Sequence, residues 1–248
     1  MNHDPIYLNW EFWTAIVAAL ALVLSQLPPI NQLVRGVKLT MIVYPRAGVG
    51  HKVGNPNMQL GVVLSNTGGR QANIKGIIIT VLREGSTLAT LPAQIYSPES
   101  DPTKQRLFVG FKINPNEDQN HNFNFFVDLP RNAERELRNK TLVLMNDINA
   151  KRAALGNTDK ILAEADPVNV QPFHEMVSKN FIWIEGEYSI NVRVESSDAK
   201  ILVEKNFRFT LYESDSRQLR NYEAEYKYGN GIYYGSENQW LWIKISEG

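Results

Sequence analysis

The chain has 248 residues, which is enough for one large or two small domains with a hydrophobic core. Its 26 Lys and Arg residues balance 26 Asp and Glu residues, so no overall basic field indicates nucleic acid as a partner. Hydrophobic residues make up 43% of the chain and Cys is absent, which excludes a wholly disordered chain, disulfides, thiolate metal sites and thiol nucleophiles.

The first predicted element is an apolar helix near the N-terminus. No charged residue lies between Glu11 and Arg35, and a helix from Trp10 to Leu27 would be about 27 Å long, close to the roughly 30 Å hydrocarbon layer of a bilayer. A Pro-Pro pair then ends the helix, and the Trp residues at its start are typical of the headgroup interface. Residues 1–36 are therefore predicted to be a membrane anchor, with anchoring side chains Trp10, Trp13, Ile16, Leu20, Leu24 and Leu27.

Two other interpretations of this segment are a cleaved signal peptide and a buried core helix. A signal peptide needs a basic start, but no Lys or Arg precedes the apolar run. Arg35 and Lys38 follow it, so the positive-inside rule places the N-terminus outside and the C-terminal body in the cytoplasm. We therefore predict a single-pass membrane protein in this orientation, with the lipid bilayer as one partner.

The chain after the anchor is predicted to form β-strands, because apolar and polar residues alternate and turn-forming residues separate the stretches. Eight such strands without alternating helices predict a mainly β fold, an antiparallel β-sandwich over residues 37–215, rather than a parallel α/β fold. The predicted strands are Leu39 to Tyr44, Met58 to Leu64, Ile74 to Leu82, Arg106 to Ile113, Asn122 to Leu129, Tyr188 to Val194, Ile201 to Leu211 and Gln239 to Ile245.

Two local patterns carry a resemblance to a known fold. Asn66 opens an Asn-Thr-Gly-Gly turn between two predicted strands, where its side chain can cap the turn and the glycines permit positive φ. Tyr188 begins a strand just after Gly186. In this order the patterns resemble those of bacterial immunoglobulin-like modules, over residues 37–212. The resemblance implies a sandwich in which the Tyr188 hydroxyl bonds to backbone at a corner, although the Cys–Trp–Cys signature of antibody domains is absent.

An insertion of about residues 130–180 is predicted to interrupt the sandwich. The segment is rich in charge and partly helical in pattern, because Leu137, Leu144, Ile148 and Leu155 recur at helical spacing. A second, short helix is predicted from Thr158 to about Ala165, ending before a proline. We expect both helices to pack beside the sheets.

The last segment, residues 216–248, is predicted to add an aromatic β-hairpin to a sheet edge. Its aromatic side chains have two interpretations: a surface that stacks on a sugar, base or peptide, or ordinary filling of sheet faces. The candidate binding surface consists of Tyr226, Tyr228, Tyr233, Tyr234, Trp240 and Trp242.

Motifs for catalysis are missing from the sequence. The four His residues are far apart, and no serine nucleophile elbow, phosphate-binding loop or dinucleotide fingerprint is present. We therefore predict no catalytic residue, no cofactor and no bound metal, and nucleic acid is not an expected partner.

The resulting functional hypothesis is a membrane-anchored, non-catalytic interaction or sensor module that recruits a partner protein. One alternative is an exported, anchored module that binds carbohydrate or peptide, which conflicts with the charges flanking the helix. Another is a membrane-perturbing effector that acts as a homo-oligomer, since Ala18, Ala19 and Ala21 permit close helix contact.

Overall fold

One large antiparallel sheet and several helices form the computed structural model, which describes residues 10–26, 35–98, 101, 103–156, 162–197, 200–234 and 240–248. The α-helices in these ranges are α1 (Trp10–Gln26), α2 (Arg131–Ala154), α3 (Pro167–Asn180) and α4 (Glu213–Asn221), and a 3-10 helix follows at Tyr222–Tyr228. The strands are β1 (Leu39–Lys52), β2 (Asn55–Asn66), β3 (Ala72–Arg83), β4 (Ser86–Pro98), β5 (Arg106–Leu107), β6 (Phe111–Ile113), β7 (Asp118–Phe126), β8 (Gly186–Ser196), β9 (Ile201–Leu211), β10 (Leu241–Lys244) and β11 (Ser246–Glu247).

The strands follow one hydrogen-bonded path in the order β10-β1-β2-β7-β4-β3-β8-β9-β11, with β5 against β4 and β6 against β3. β4 connects the two halves of this path. Its residues from Ser86 to Pro92 pair with β3, whereas its residues from Ala93 to Pro98 pair with β7. Because β4 pairs with β3 along its first half and with β7 along its second half, the two halves form one continuous sheet.

The short strands β10 and β11 bring the two ends of the path together. β10 pairs with residues 46–49 of β1, and β11 pairs with Phe207 and Arg208 of β9. Between them, the backbone N–H of Ile245 donates to the carbonyl oxygen of Pro45 at 2.9 Å. One continuous segment thus covers both edge strands, and the sheet is nearly closed and barrel-like.

The interior of the closed sheet is apolar, as the alternating pattern of the strands requires. Met58, Leu60, Val62 and Leu64 of β2 are all buried, while the residues between them face outward. Trp183 is the largest fully buried side chain, and its indole N–H donates to the carbonyl oxygen of Gly50 at 2.7 Å.

The corner that the resemblance implies at Tyr188 is present. Its buried hydroxyl lies 2.7 Å from the carbonyl oxygen of Ile182 and 2.8 Å from that of Ile184, just before β8 begins. Its ring stacks on Phe209 of the neighbouring strand, with ring centroids 5.0 Å apart. This hydroxyl therefore ties the chain entering β8 to the start of the strand.

The predicted cap at Asn66 is also present, but the glycine beside it has a different role. The Asn66 side chain accepts from the backbone N–H of Gly68 at 3.0 Å and donates to the carbonyl oxygens of Arg70 and Ile113. Gly68 does not adopt positive φ. A Cβ at Gly68 would lie 2.3 Å from the carbonyl oxygen of Gly36, so close approach of two backbone segments requires the glycine here.

A second apolar core joins the helices to the C-terminal part of the chain. Leu144 and Ile148 of α2 and Phe173 and Val177 of α3 are buried there, together with Tyr226 of the 3-10 helix. The insertion is therefore helical and packed, as predicted. Of the short helix predicted from Thr158 to Ala165, residues 157–161 lie outside the described ranges and residues 162–165 are not helical. The next helix begins at Pro167, a position that suits proline because its missing N–H would be unbonded anyway.

His51 connects the end of β1 to α4. Its Nδ1 accepts from the backbone N–H of Gly54 at 3.0 Å, so the proton of the neutral ring is on Nε2, which donates to the carbonyl oxygen of Leu219 at 3.0 Å. Burial lowers the pKa of His51 below its usual range, because the charged form would lose its water. The ring is therefore a neutral link with both nitrogens bonded.

Helix α1 coincides with the predicted anchor helix at its start, and Leu27 lies outside the described ranges. Within those ranges no helix combines the length and the apolar character that crossing a membrane requires, and α1 has 17 residues. The predicted transmembrane span is therefore not confirmed.

The predicted mainly β, antiparallel class is confirmed, whereas the immunoglobulin-like sandwich is not, because the strands form one continuous, nearly closed path. Of the predicted C-terminal hairpin, the last strand is present as β10 at a sheet edge, and residues 235–239 lie outside the described ranges. Residues 213–228 are helical, and β10 pairs with β1 instead of a hairpin partner. Tyr222 and Tyr226 are both buried in the second core. Residues four apart lie on the same side of a helix, so a helical conformation buries both rings although aromatic residues favour strands.

Candidate functional site

The outward face of β10, β1, β2 and β7 carries a strip of amide and aromatic side chains. The strand register places Trp242, Gly48, Gln59 and Asn124 in one row across these four strands. A neighbouring row contains Gly50, Asn57 and Phe126, and Gly61 lies opposite Asn122. We call this strip the amide–aromatic face; its side chains are Tyr44, Asn57, Gln59, Asn122, Asn124, Trp240 and Trp242.

A bulge in β1 positions Tyr44 on this face. The pairing with β2 runs from Val43 opposite Val62 directly to Ala47 opposite Leu60, so three residues of β1 oppose one residue of β2. Pro45 lies in this bulge, where its missing N–H breaks no ladder hydrogen bond. The bulge places the Tyr44 ring over Gly61, where a Cβ would lie 2.6 Å from the ring.

The two Trp residues lie over a second glycine. A Cβ at Gly48 would come within 3.2 Å of the Trp240 ring and 3.6 Å of the Trp242 ring. Trp242 is 53% exposed and Trp240 is half-buried. Glycines in β1 and β2 thus leave room for three aromatic rings to rest against the sheet.

The amides come mainly from the alternation of β7. Phe123 and Phe125 are fully buried in the core, and Asn120, Asn122 and Asn124 alternate with them on the outer side. Asn120 donates to the Tyr44 hydroxyl at 2.7 Å, which holds that ring in position.

Several amides of this face lack protein partners. The Oδ1 atoms of Asn57 and Asn124 are buried without a hydrogen bond to any described residue, and the side chains of Gln59 and Asn122 make none within the same ranges. Polar groups that folding removes from water are normally hydrogen-bonded. These half-buried amides are therefore donors and acceptors that no described residue uses.

Two shallow cavities lie along the amide–aromatic face. One of about 400 Å³ is bounded by Tyr44, Gln59, Asn122 and Trp242. The other, of about 700 Å³, contains Asn57, Asn124 and Trp240 in its lining. Arg46 lines the first cavity, and Lys52, Asp128 and Glu134 line the second, whereas the rows of paired residues across the face are uncharged. The face therefore offers hydrogen bonds and ring surfaces without a charge at its centre.

A separate cleft of about 610 Å³ lies between α2, α3 and the end of the sheet. Its floor is largely apolar, with Leu137 and Met176 among its residues, and Lys52, Lys140 and Lys179 lie on its lining. The Lys140 ammonium lies 2.7 Å from the carboxylate of Glu136, and this hydrogen bond lowers the pKa of Glu136. Glu136 and Glu175 also line the cleft, so its lining combines apolar side chains with charges of both signs.

The predicted aromatic surface is divided among different places. Tyr226 is fully buried in the second core, where desolvation raises the pKa of its hydroxyl. The Tyr228 hydroxyl donates to the Glu164 carboxylate at 2.8 Å. Tyr233 and Tyr234 pack on each other, with ring centroids 4.4 Å apart, and Arg152 donates to the Tyr234 hydroxyl. Only the Trp residues of the predicted set belong to the amide–aromatic face.

The predicted anchor side chains lie together on α1. Trp10, Trp13, Leu20 and Leu24 are exposed, and Ile16 is half-buried. As for metal ligands, the described ranges contain no group of three or more His, Asp and Glu residues that could hold an ion.

Tyr44 and the four unpartnered amides were not among the predicted site residues. A signal was available in residues 118–126, Asp-Gln-Asn-His-Asn-Phe-Asn-Phe-Phe, where amides recur at every second position of a strand. Together, fold and face define a mainly antiparallel β protein with an uncharged amide–aromatic surface.

Comparison with known proteins gives no family for this chain. No protein-family model matches it, and no curated protein sequence matches it. One similar solved structure is that of a "putative lipoprotein (ycdA)" from Bacillus subtilis, with a TM-score of 0.30 and 11% sequence identity. The similarity covers 74% of this chain and 39% of that chain, so this chain spans well under half of that protein. A similarity at this level does not establish a common fold.

Proposed function

We propose that this chain is a membrane-tethered, non-catalytic binding module. Helix α1 inserts into a lipid bilayer, and the closed sheet with its helices binds a partner at the membrane. The observation that carries the proposal is the uncovered apolar surface of α1.

Apolar side chains are exposed all around α1. Trp10 is 81% exposed, and Leu20 and Leu24 are each 56% exposed. A helix that is apolar on every side is normally buried in a protein core or a membrane. No other described part of the chain packs over the apolar side chains of α1. We therefore expect an apolar environment other than this chain to surround the helix.

A lipid bilayer fits this requirement better than a second copy of the chain. The sequence has no charged residue from Phe12 to Val34, and Trp10 and Trp13 stand at one end, as interfacial Trp residues do. A helix pair in water would bury one stripe of α1 and leave its other sides exposed. A bilayer covers all sides at once.

Two surfaces of the body support binding rather than catalysis. The centre of the amide–aromatic face has no acid, base or nucleophile among its described side chains. The cleft beside α2 and α3 supports recruitment of a partner protein, because a lining that combines apolar side chains with lysines and glutamates suits an amphipathic segment.

The tether is tested by flotation of the full chain with liposomes. We expect the wild type to float with the vesicles and the Leu20→Lys/Leu24→Lys variant to stay at the bottom of the gradient, because two ammonium groups in hydrocarbon are strongly unfavourable. The control is Leu107→Lys/Val109→Lys, which makes the same change at residues that are 74% and 87% exposed on the body, and it should float.

Either of two results would contradict the tether. One is a wild type that stays at the bottom as a water-soluble oligomer, which would make a second copy the cover of α1. The other is a Leu20→Lys/Leu24→Lys variant that floats as well as the wild type.

A further inference from the structure

We infer that the amide–aromatic face binds a neutral oligosaccharide. This inference rests on the proposed binding role of the body and names the class of ligand. It is carried by the unpartnered amides of Asn57, Gln59, Asn122 and Asn124 lying among aromatic rings on one sheet face.

The side chains on this face match the two kinds of surface on a sugar ring. A pyranose presents hydroxyl groups at its edge, each of which both donates and accepts hydrogen bonds. A side-chain amide also has both functions, with its NH₂ group and its carbonyl oxygen. The faces of the sugar ring carry C–H groups, which pack on aromatic rings such as that of Trp242.

The shape of the face suits a short chain of sugars. Asn57, Gln59 and Gly61 occupy successive outward positions of β2, which span about 13 Å at the usual rise of a strand. Tyr44 lies over Gly61 at one end of this line, and Trp240 lies near its middle. An extended ligand of a few rings can therefore contact an aromatic ring and several amides together.

The charge of the face argues against an anionic ligand. Binding of phosphates or nucleic acid relies on clustered Lys and Arg side chains. In the described part of the face, Arg46 is the cation bordering the cavity beside Tyr44, and Lys52 borders the other. The amides between them select hydroxyl groups instead.

The strand pairing argues against a peptide added as an extra strand. Such a peptide needs an open strand edge with free backbone groups. β2 and β7 carry most of the amides, and each is paired on both sides. The available groups on this face are therefore side chains.

The probe is a printed array of neutral, sialylated and sulfated glycans, applied to the full chain in a zwitterionic detergent that carries no sugar headgroup. We expect the wild type to bind neutral glycans. Gln59→Glu and Asn122→Asp should weaken this binding at least about tenfold, because each replaces an amide donor with a carboxylate of nearly the same shape.

Trp242→Ala should weaken binding through the loss of ring packing, while Tyr234→Ala is the matched aromatic control and should bind like the wild type. Circular dichroism and thermal unfolding of each variant show whether it is folded. The two carboxylate variants keep the test valid if Trp242→Ala does not fold.

Three results would overturn the inference: a folded wild type that binds no neutral glycan, one that binds only acidic glycans, or amide variants that bind as tightly as the wild type. A wild type that floats with liposomes but binds no neutral glycan overturns only this inference. One that binds neutral glycans without floating overturns only the tether. If the body lies in the cytoplasm, the ligand is a cytosolic saccharide; if it lies outside, the ligand is an external glycan.

Discussion

Tyr188 shows, at the scale of single residues, how one hydroxyl holds a corner of the sheet. The hydroxyl bonds to backbone carbonyls of the segment that leads into β8. Burial raises the pKa of Tyr188 to about 12, so the hydroxyl remains a protonated donor at neutral pH.

We expect Tyr188→Phe to lower the free energy of unfolding by about 1–2 kcal/mol, because a buried hydrogen bond is lost and the Ile184 carbonyl oxygen is left without its hydroxyl donor. Urea unfolding followed by Trp fluorescence measures the change. Tyr96→Phe is the control, because the Tyr96 ring packs among aromatics and its hydroxyl makes no hydrogen bond within the described residues. Equal midpoints for the wild type and Tyr188→Phe would show that the hydroxyl has no role at the corner.

His51 makes stability depend on pH. Its pKa is lowered in the folded protein by burial, while the unfolded chain has an ordinary histidine pKa near 6.5. Below about pH 6.5 the unfolded state therefore binds a proton that the folded state does not, and stability falls as the pH falls.

We expect the urea midpoint of the wild type to decrease between pH 7 and pH 5, and His51→Gln to show a shallower decrease. One proton corresponds to at most about 1.4 kcal/mol per pH unit. His121, whose pKa is also lowered by burial, contributes in the same direction and remains in the variant. Identical slopes for the two proteins would contradict the role of His51.

Individual residues were predictable from sequence where the interaction is local. Asn66 bonds within its own turn, and Tyr188 bonds four and six residues back, so short patterns were sufficient. The amide–aromatic face was not predictable, because its members come from four strands and meet only through register. Tyr44 in particular reaches the face through the bulge at Pro45.

At the scale of secondary-structure elements, the C-terminal segment stabilises the sheet at two places, because it pairs with the strands at both ends of the sheet. Ile243 and Ile245 are buried in the main core, and β10 and β11 cover β1 and β9. Removing either side chain therefore affects two distant strands together.

We expect Ile245→Ala to lower the free energy of unfolding by about 2–4 kcal/mol through the cavity it leaves. Amide hydrogen exchange measured by mass spectrometry should become faster in both β1 and β9. Lys244→Ala, which changes an exposed neighbour, should leave the protection of both strands unchanged. Faster exchange in only one of the two strands would show that the segment does not link them.

Strands were easier to predict than the ends of the chain. The strands predicted around β2, β3, β8 and β9 lie where the structure has them, because alternation of buried and exposed residues defines them. In the last segment, β10 lies where a strand was predicted, whereas the helices over residues 213–228 were not predicted, because only the second core shows that Tyr222 and Tyr226 are buried at helical spacing.

At the scale of the whole molecule, the prediction concerns the side of the membrane on which the body lies. From the charges that flank α1 in the sequence, we predict that the N-terminus lies outside and the body in the cytoplasm.

The chain has no Cys, so Ser86→Cys, at the exposed first residue of β4, creates its only thiol. We expect a membrane-impermeant maleimide to label this thiol after lysis and not in intact cells or spheroplasts. An exported thiol protein, labelled in parallel, is the control. Labelling of Ser86→Cys in intact cells would place the body outside.

Closure of the sheet by its last strands also fixes an order of events during synthesis. The ribosome releases β1 early, β9 late and residues 241–247 last, so the edge of β1 stays open during almost all of synthesis and the edge of β9 stays open from its own synthesis until the last strands are made. Open strand edges can pair with other chains. During that interval a nascent chain exposes two unpaired strand edges and the apolar helix α1. A chain terminated before residue 240 would keep both edges and the helix exposed. Early engagement of α1 by a membrane would separate such nascent chains from one another and so protect them from aggregation.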